Sequence, residues 1–162
     1  MNRQRVTKWL VRLSRFGLAA LFLFTAVAKL TIMNAFAKNV GELLSASGIN
    51  YQRWSWPVTV AIVVTETLIA ILLLIPRTVR IGALSGAALL IAFAGYALYY
   101  VYVLNGEPLE CGCFGGIIAS QLGVKTALRN LALLVPALIV CFGYRRRTDK
   151  TTNEMTTAPA TV

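Results

Sequence analysis

The stretch PVTVAIVVTETLIAILLLI at residues 57–75 decides the fold class of this chain. A helix needs roughly 20 predominantly apolar residues to cross a hydrocarbon core about 30 Å thick, and this run has that length. Glu66 is the charged residue near its middle, and Pro76, directly after the run, ends the helix because proline cannot donate a backbone hydrogen bond. The stretch therefore predicts a transmembrane helix that carries an ionisable side chain inside the bilayer.

Three further apolar runs, at residues 16–33, 81–104 and 126–144, have similar lengths. The short basic turn at residues 77–80 favours antiparallel neighbours. We therefore predict an all-α integral membrane protein, a four-transmembrane-helix antiparallel bundle over residues 16–144. The first run could be read as a signal peptide, but it is longer than the usual apolar region of one and contains Lys29, so we expect it to be retained.

The composition agrees with a membrane protein. Hydrophobic residues make up 57% of the 162 residues and charged residues 14%, whereas a soluble domain would carry about a quarter charged residues. The absence of histidine excludes histidine-based nucleophilic catalysis, histidine-ligated haem and most zinc enzymes. The net charge of +10 does not indicate nucleic acid, because the basic residues cluster beside the apolar runs.

These clusters also predict the orientation. Most basic residues lie in the N-terminal segment at residues 1–15, in the turn at residues 77–80 and at the start of the C-terminal tail, residues 145–162, which we expect to be disordered after its basic cluster. The positive-inside rule then places both termini in the cytoplasm of a cell with an inner (plasma) membrane. The segment between the third and fourth spans is expected on the extracytoplasmic side.

The loop at residues 34–56 is predicted to contain a short helix in the membrane interface, because apolar residues recur there at helical spacing. Asn34 is the expected N-cap of that helix. Pro57 is expected in the first turn of the second span, where a proline is tolerated.

The first candidate site is a pair of cysteines separated by one glycine, Cys111 and Cys113. Thiols on an outer membrane face tend to be oxidised, and a disulfide that closes so small a ring is easier to reduce than a relaxed one. The pair therefore indicates thiol–disulfide exchange. The alternatives are a structural clasp, two unpaired thiols, or a soft-metal site, although neither Met nor His lies nearby, so we expect no metal. Cys141 lies at the other end of the fourth span and is expected to be a packing residue.

The second candidate set is the intramembrane charges Lys29, Glu66 and Arg129. Ionisable groups inside a span are costly, and the side chains of Lys29 and Glu66 lean toward the same depth if their helices are antiparallel. Pairing is therefore expected, with snorkelling of Lys29 to the interface as the alternative. Arg129 would either join the pair or reach the headgroups. The set would serve as a structural ion pair or as a proton relay.

The third candidate set is Tyr96, Tyr99 and Tyr100, which helical spacing predicts on one face near the end of the third span. Such a face could line a site for a flat aromatic ligand such as a quinone, the cofactor that we consider. The alternative is an interfacial belt of aromatic residues.

Four features together resemble a known family. They are the AVAKL sequence at residues 26–30, Glu66 in the second span, the Cys-Gly-Cys-Phe-Gly motif at residues 111–115, and the Arg-Asn pair at residues 129–130. In this combination the chain resembles the MauE/DoxX-like family of redox-associated membrane proteins. The resemblance implies a four-helix membrane fold. Resemblance to the methylamine-utilisation branch implies a role in periplasmic disulfide handling during maturation of a disulfide-rich dehydrogenase.

We therefore expect a membrane thiol–disulfide redox protein that uses Cys111 and Cys113 to exchange electrons with an extracytoplasmic thioredoxin-like partner. If electrons cross the membrane, a second acceptor such as quinone is needed. One alternative is a non-enzymatic assembly factor with a structural Cys-Gly-Cys clasp. Another is a small transporter that uses Lys29 and Glu66.

Overall fold

The computed structural model describes residues 3–104 and 124–144, and these residues form five α helices. Four of the helices are long and apolar enough to cross a membrane. Large apolar side chains on all four point outward, as lipid-facing residues must. The predicted all-α fold with four membrane spans is confirmed, and the chain is a multi-pass membrane protein. The helices are α1 (Arg3–Thr31), α2 (Met33–Ala46), α3 (Tyr51–Leu74), α4 (Val79–Tyr102) and α5 (Val124–Gly143).

The four long helices form a closed ring in the order α1, α3, α4, α5, with α1 packed against both α3 and α5. Contacts between helix ends show that neighbours are antiparallel. Arg15 in the first half of α1 reaches Leu73 at the end of α3, and Arg80 at the start of α4 reaches Tyr144 just after α5. We call this end of the bundle the Arg15 end and the opposite end, where Tyr100 lies, the Tyr100 end.

Two arginines cap helices at the Arg15 end. The last carbonyls of a helix have no partner within the helix, and water is scarce near a bilayer core. The Arg15 guanidinium donates to the carbonyl oxygens of Leu73 at 2.6 Å and Leu74 at 2.5 Å, and it lies 5.7 Å from the ring centroid of Tyr144. Arg80 donates to the Tyr144 carbonyl oxygen at 2.9 Å. The end of α3 is therefore tied to the first half of α1, and the end of α5 to the start of α4.

Helix α1 is longer than predicted, because it begins at Arg3 within the basic N-terminal segment. The short helix α2 is present, but Asn34 does not cap it. Its N-cap is Ile32, and the Phe36 amide donates to the Ile32 carbonyl oxygen at 2.9 Å, so Asn34 lies inside the helix. The prediction was wrong because α2 follows α1 after a break at a single residue, which leaves no loop for an Asn34 cap.

Helix α3 also begins earlier than predicted, so Pro57 is not in its first turn. Gly48 ends α2 in a left-handed conformation, φ +73°, and the Asn50 side chain then caps α3 by accepting from the Arg53 amide at 3.4 Å. Pro57 lies inside α3. Pro57 costs α3 one backbone hydrogen bond in its second turn, but the helix still begins before it, at the Asn50 cap.

The buried interior has two apolar clusters separated by polar residues. The larger cluster includes Leu18, Phe22, Ile69 and Leu73 and reaches the Arg15 end, whereas the smaller one lies at the Tyr100 end. Between them lies a set of buried polar side chains that we call the polar layer: Thr25, Lys29, Glu66 and Asn130. Because the spans are otherwise apolar, this layer is the part of the interior where chemistry other than packing is available.

Close helix packing at the Arg15 end depends on Gly82. A methyl group added there would lie 2.9 Å from the Leu73 amide nitrogen and 3.0 Å from the Leu72 carbonyl carbon, so the backbone of α3 would have to move. Gly95 on the same helix has nothing within 4 Å of a methyl group added there. Both glycines lie within α4, but Gly82 has no room for an added methyl group and Gly95 has.

We predict that Gly82→Ala lowers the free energy of unfolding by about 1–3 kcal/mol, because overpacking outweighs the gain in helix propensity. The matched control Gly95→Ala should be neutral or stabilising by at most about 1 kcal/mol. Unfolding in mixed detergent micelles measures both. Equal stability of the two variants would show that α3 and α4 are not in contact at Gly82.

Candidate functional site

The structure brings Lys29 of α1 and Glu66 of α3 together. The Lys29 ammonium forms a salt bridge with Glu66 Oε1, and the two side chains are 2% and 3% exposed. Of the two outcomes expected for Lys29, the structure therefore has pairing rather than snorkelling. The two groups meet because α1 and α3 are antiparallel and Cβ atoms tilt toward the start of each helix, which brings both side chains to one depth.

Aromatic rings complete the surroundings of the Lys29 ammonium. The nitrogen lies 5.3 Å from the ring centroid of Phe36 on α2 and 5.7 Å from that of Phe93 on α4. Both distances are within the range in which a cation is attracted to the face of an aromatic ring. The ammonium thus contacts three other helices, and α2 supplies one of its partners.

Glu66 borders a small cavity of about 30 Å³ inside the bundle. Arg129 and Asn130 of α5 and Thr25 of α1 line the same cavity. Arg129 therefore joins the polar layer from its edge and is half-buried, whereas Asn130 is only 5% exposed. Thr25 precedes Lys29 by one helical turn on the same face of α1, a spacing that could have identified it from the sequence.

Cys111 and Cys113 lie outside the described residues. The described residues that flank their segment, Leu104 and Val124, are both at the Tyr100 end, where Leu104 packs on the cluster containing Tyr100 and Ala127. Cys141 is a free, half-buried cysteine that packs on the larger apolar cluster.

The tyrosines near the end of α4 do not share one surface. Tyr96 and Tyr99 are neighbours, with ring centroids 6.3 Å apart, but Tyr99 is 44% exposed and Tyr100 is 4% exposed. The Tyr96 hydroxyl lies 3.0 Å from Ser47 Oγ and donates to the Leu43 carbonyl oxygen at 3.0 Å, which ties the end of α2 to α4. Only Tyr100 of the three faces a sizeable recess.

That recess is an open groove of about 910 Å³ between α2 and the start of α3. Its walls carry aromatic side chains, Tyr51, Trp56 and Tyr100, beside two charged ones, Lys38 and Glu42. The sequence did not predict it, because Tyr51 and Trp56 were expected in a loop and the groove arises only when α2 folds back along α3.

Comparison with known proteins decides the family. The chain matches the family "Methylamine utilisation protein MauE" over residues 7–143, which is well over half its length and overlaps all four described membrane spans. The chain belongs to this MauE family. No curated protein and no solved structure matches it significantly. The resemblance inferred from the residues is thus confirmed for the family.

We predict that Glu66→Gln lowers the free energy of unfolding by about 3–5 kcal/mol, because it leaves the Lys29 ammonium buried without its partner. The double variant Lys29→Met/Glu66→Gln should recover most of that loss, since replacing both members of a buried pair is often nearly neutral. The free energies of unfolding of these variants and of Lys29→Met alone, measured in mixed detergent micelles, complete the double-mutant cycle.

Glu42→Gln is the matched control for this cycle, because Glu42 is exposed. It should change stability by less than about 1 kcal/mol. If Glu66→Gln were no more destabilising than this control, the buried pair would not be what holds α1 against α3.

Proposed function

We propose that this MauE-family protein is an integral-membrane thiol–disulfide redox protein, in which Cys111 and Cys113 exchange electrons with an extracytoplasmic thioredoxin-like partner. The observation that carries the proposal is the Cys-Gly-Cys sequence in the segment that joins α4 to α5. The MauE match, whose description refers to methylamine utilisation, supports a role in that process.

The exchange balances without an external reagent. The thiolate of one cysteine attacks the partner's disulfide, forms a mixed disulfide and releases a partner thiolate. The second cysteine then attacks the mixed disulfide, which leaves a Cys111–Cys113 disulfide and a partner dithiol. Two electrons pass to the partner in this direction, and the reverse sequence returns them.

The proposed orientation has both termini in the cytoplasm of the plasma membrane and the cysteine segment outside it. The Arg15 end supports this orientation, because Lys8, Arg12, Arg15, Arg77 and Arg80 lie at or near it. The cysteine segment joins helices at the opposite, Tyr100 end.

If electrons leave the cysteine pair for the membrane, we propose a quinone as their acceptor, which takes up two electrons and two protons when bound. The groove beside Tyr100 suits a flat ring, because Tyr51, Trp56 and Tyr100 supply aromatic faces. Tyr96 and Tyr99 do not line that groove. Lys29, Glu66 and Arg129 would support the bundle and a proton path.

The substrate proteins that we propose are disulfide-containing proteins undergoing maturation, such as methylamine dehydrogenase. The competing functions are a non-enzymatic assembly factor, in which the Cys-Gly-Cys segment is a docking clasp, and a small transporter that depends on Lys29 and Glu66. Unlike the redox function, neither competing function requires Cys111 and Cys113 to cycle between dithiol and disulfide.

Thiol trapping in intact membranes tests the redox centre. We expect a membrane-impermeant alkylating reagent to label Cys111 and Cys113 only after mild reduction, since an accessible disulfide must open before its sulfurs can react. A Cys141→Ala variant removes the remaining thiol and serves as the control background. Failure to label an intact, inserted chain under either condition would overturn the outward placement.

Replacing both cysteines by serine separates the functions. The redox function predicts that Cys111→Ser/Cys113→Ser abolishes growth on methylamine while the chain still inserts, whereas Cys141→Ser should grow normally. Growth of a null strain carrying each variant is the measurement, with immunoblots of membranes to show insertion. Normal growth of the double variant would instead favour the clasp or the transporter.

A further inference from the structure

Two buried polar groups that line the small cavity beside Glu66 have no hydrogen-bond partner among the described residues. Glu66 uses Oε1 for Lys29, but its Oε2 has no hydrogen-bond partner among residues 3–104 and 124–144, and neither has the Asn130 amide nitrogen, Nδ2. Glu66 is 2% exposed and Asn130 5% exposed, and both line the cavity. Leaving a buried polar group without a hydrogen bond costs free energy, so both groups need a partner.

The two groups are complementary in chemistry but lie on different helices. Glu66 Oε2 is a carboxylate oxygen and accepts, whereas Asn130 Nδ2 carries two hydrogens and donates. Thr25 adds a third position: its hydroxyl donates to the Phe22 carbonyl oxygen at 3.0 Å and also lies within hydrogen-bonding reach of the Glu66 carboxylate, while the lone pairs of Oγ remain able to accept. Asn130 therefore offers one donor to the cavity, and Glu66 and Thr25 offer one acceptor each, while Arg129 lines the same cavity from its edge.

A single water molecule can accept from the Asn130 donor and donate to both acceptors. The cavity measures about 30 Å³, and one water needs at least about 10–15 Å³ and two to four polar partners. We propose that the cavity is a binding site for a single water molecule that bridges Glu66 of α3 and Asn130 of α5. The water accepts from Asn130 Nδ2, donates one hydrogen to Glu66 Oε2 and donates the other to Thr25 Oγ.

This water extends the hydrogen-bond network of the ion pair to α5, the last of the four long helices. Lys29 and Glu66 join α1 to α3, and the water adds α5 through Asn130. It also provides Glu66 with a hydrogen-bonded neighbour other than Lys29. The site depends on the fold alone, so it stands whether or not the cysteine pair is a redox centre.

The test is infrared spectroscopy of the protein in lipid nanodiscs, compared in H₂¹⁶O and H₂¹⁸O. The isotope changes bands of water and leaves bands of side chains in place, so difference spectra between wild type and variants identify a water at a given site. We expect an isotope-sensitive O–H stretching band in the wild type that is lost in Asn130→Leu, whose apolar side chain fills the cavity and removes the donor.

Thr25→Val keeps the shape of the side chain but removes one acceptor, so we expect the same band to shift. Thr65→Val is the matched control, because Thr65 is exposed and bonds within α3, to the Ala61 carbonyl oxygen at 2.7 Å. It should leave the band unchanged. If Asn130→Leu fails to fold, the Thr25→Val shift tests the site on its own.

Two results would overturn the proposal. One is that folded wild-type protein shows no isotope-sensitive O–H stretching band that is lost in Asn130→Leu or shifted in Thr25→Val. The other is a band that all of the folded variants keep unshifted. Because none of these readouts involves the cysteines, a failure here is distinguishable from a failure of the thiol-exchange function.

Discussion

The salt bridge between Lys29 and Glu66 is the interaction on which the rest of the bundle depends. An isolated charge in a bilayer core is costly, and neither side chain is exposed enough to reach bulk water. Each group therefore requires the other, which sets the register of α1 against α3. The same requirement involves further helices, since Phe36 of α2 and Phe93 of α4 face the ammonium. One pair of opposite charges thus orders four helices around a polar layer.

The helix ends obey a related constraint, because backbone carbonyl oxygens near hydrocarbon also need donors. At the Arg15 end, the guanidinium groups of Arg15 and Arg80 supply them. At the Tyr100 end, the Tyr96 hydroxyl adds a donor to the Leu43 carbonyl oxygen, which also accepts from the Ser47 amide. Tyr96, which the sequence alone could place in an interfacial belt of aromatic residues, thus helps to attach α2 to the bundle. Helix α2, the groove beside it and the buried pair are consequences of one packing arrangement.

Much of the fold was predictable because apolar run length has a direct physical cause, the thickness of the hydrocarbon core. The pairing of Lys29 with Glu66 was predictable for a similar reason, since antiparallel helices bring both to one depth. The predicted helix starts were wrong where local signals compete. Asn34 and Pro57 each resemble a helix start, but the break at Ile32 and the cap at Asn50 place the starts elsewhere. Spacing along α4 also did not predict that Tyr99 faces outward while Tyr100 is buried.

The amino-acid sequence by itself determined that this is a multi-pass helical membrane protein of the MauE type, with two opposite charges inside its spans. Apolar length and the cost of an unpaired charge act on each segment separately, so they can be read along the chain. Only the tertiary structure decided that Thr25, Glu66 and Asn130 face one small cavity and that α2 folds back to form a groove with α3. Those features depend on how each helix is rotated about its axis, and that rotation is set by packing among all the helices at once.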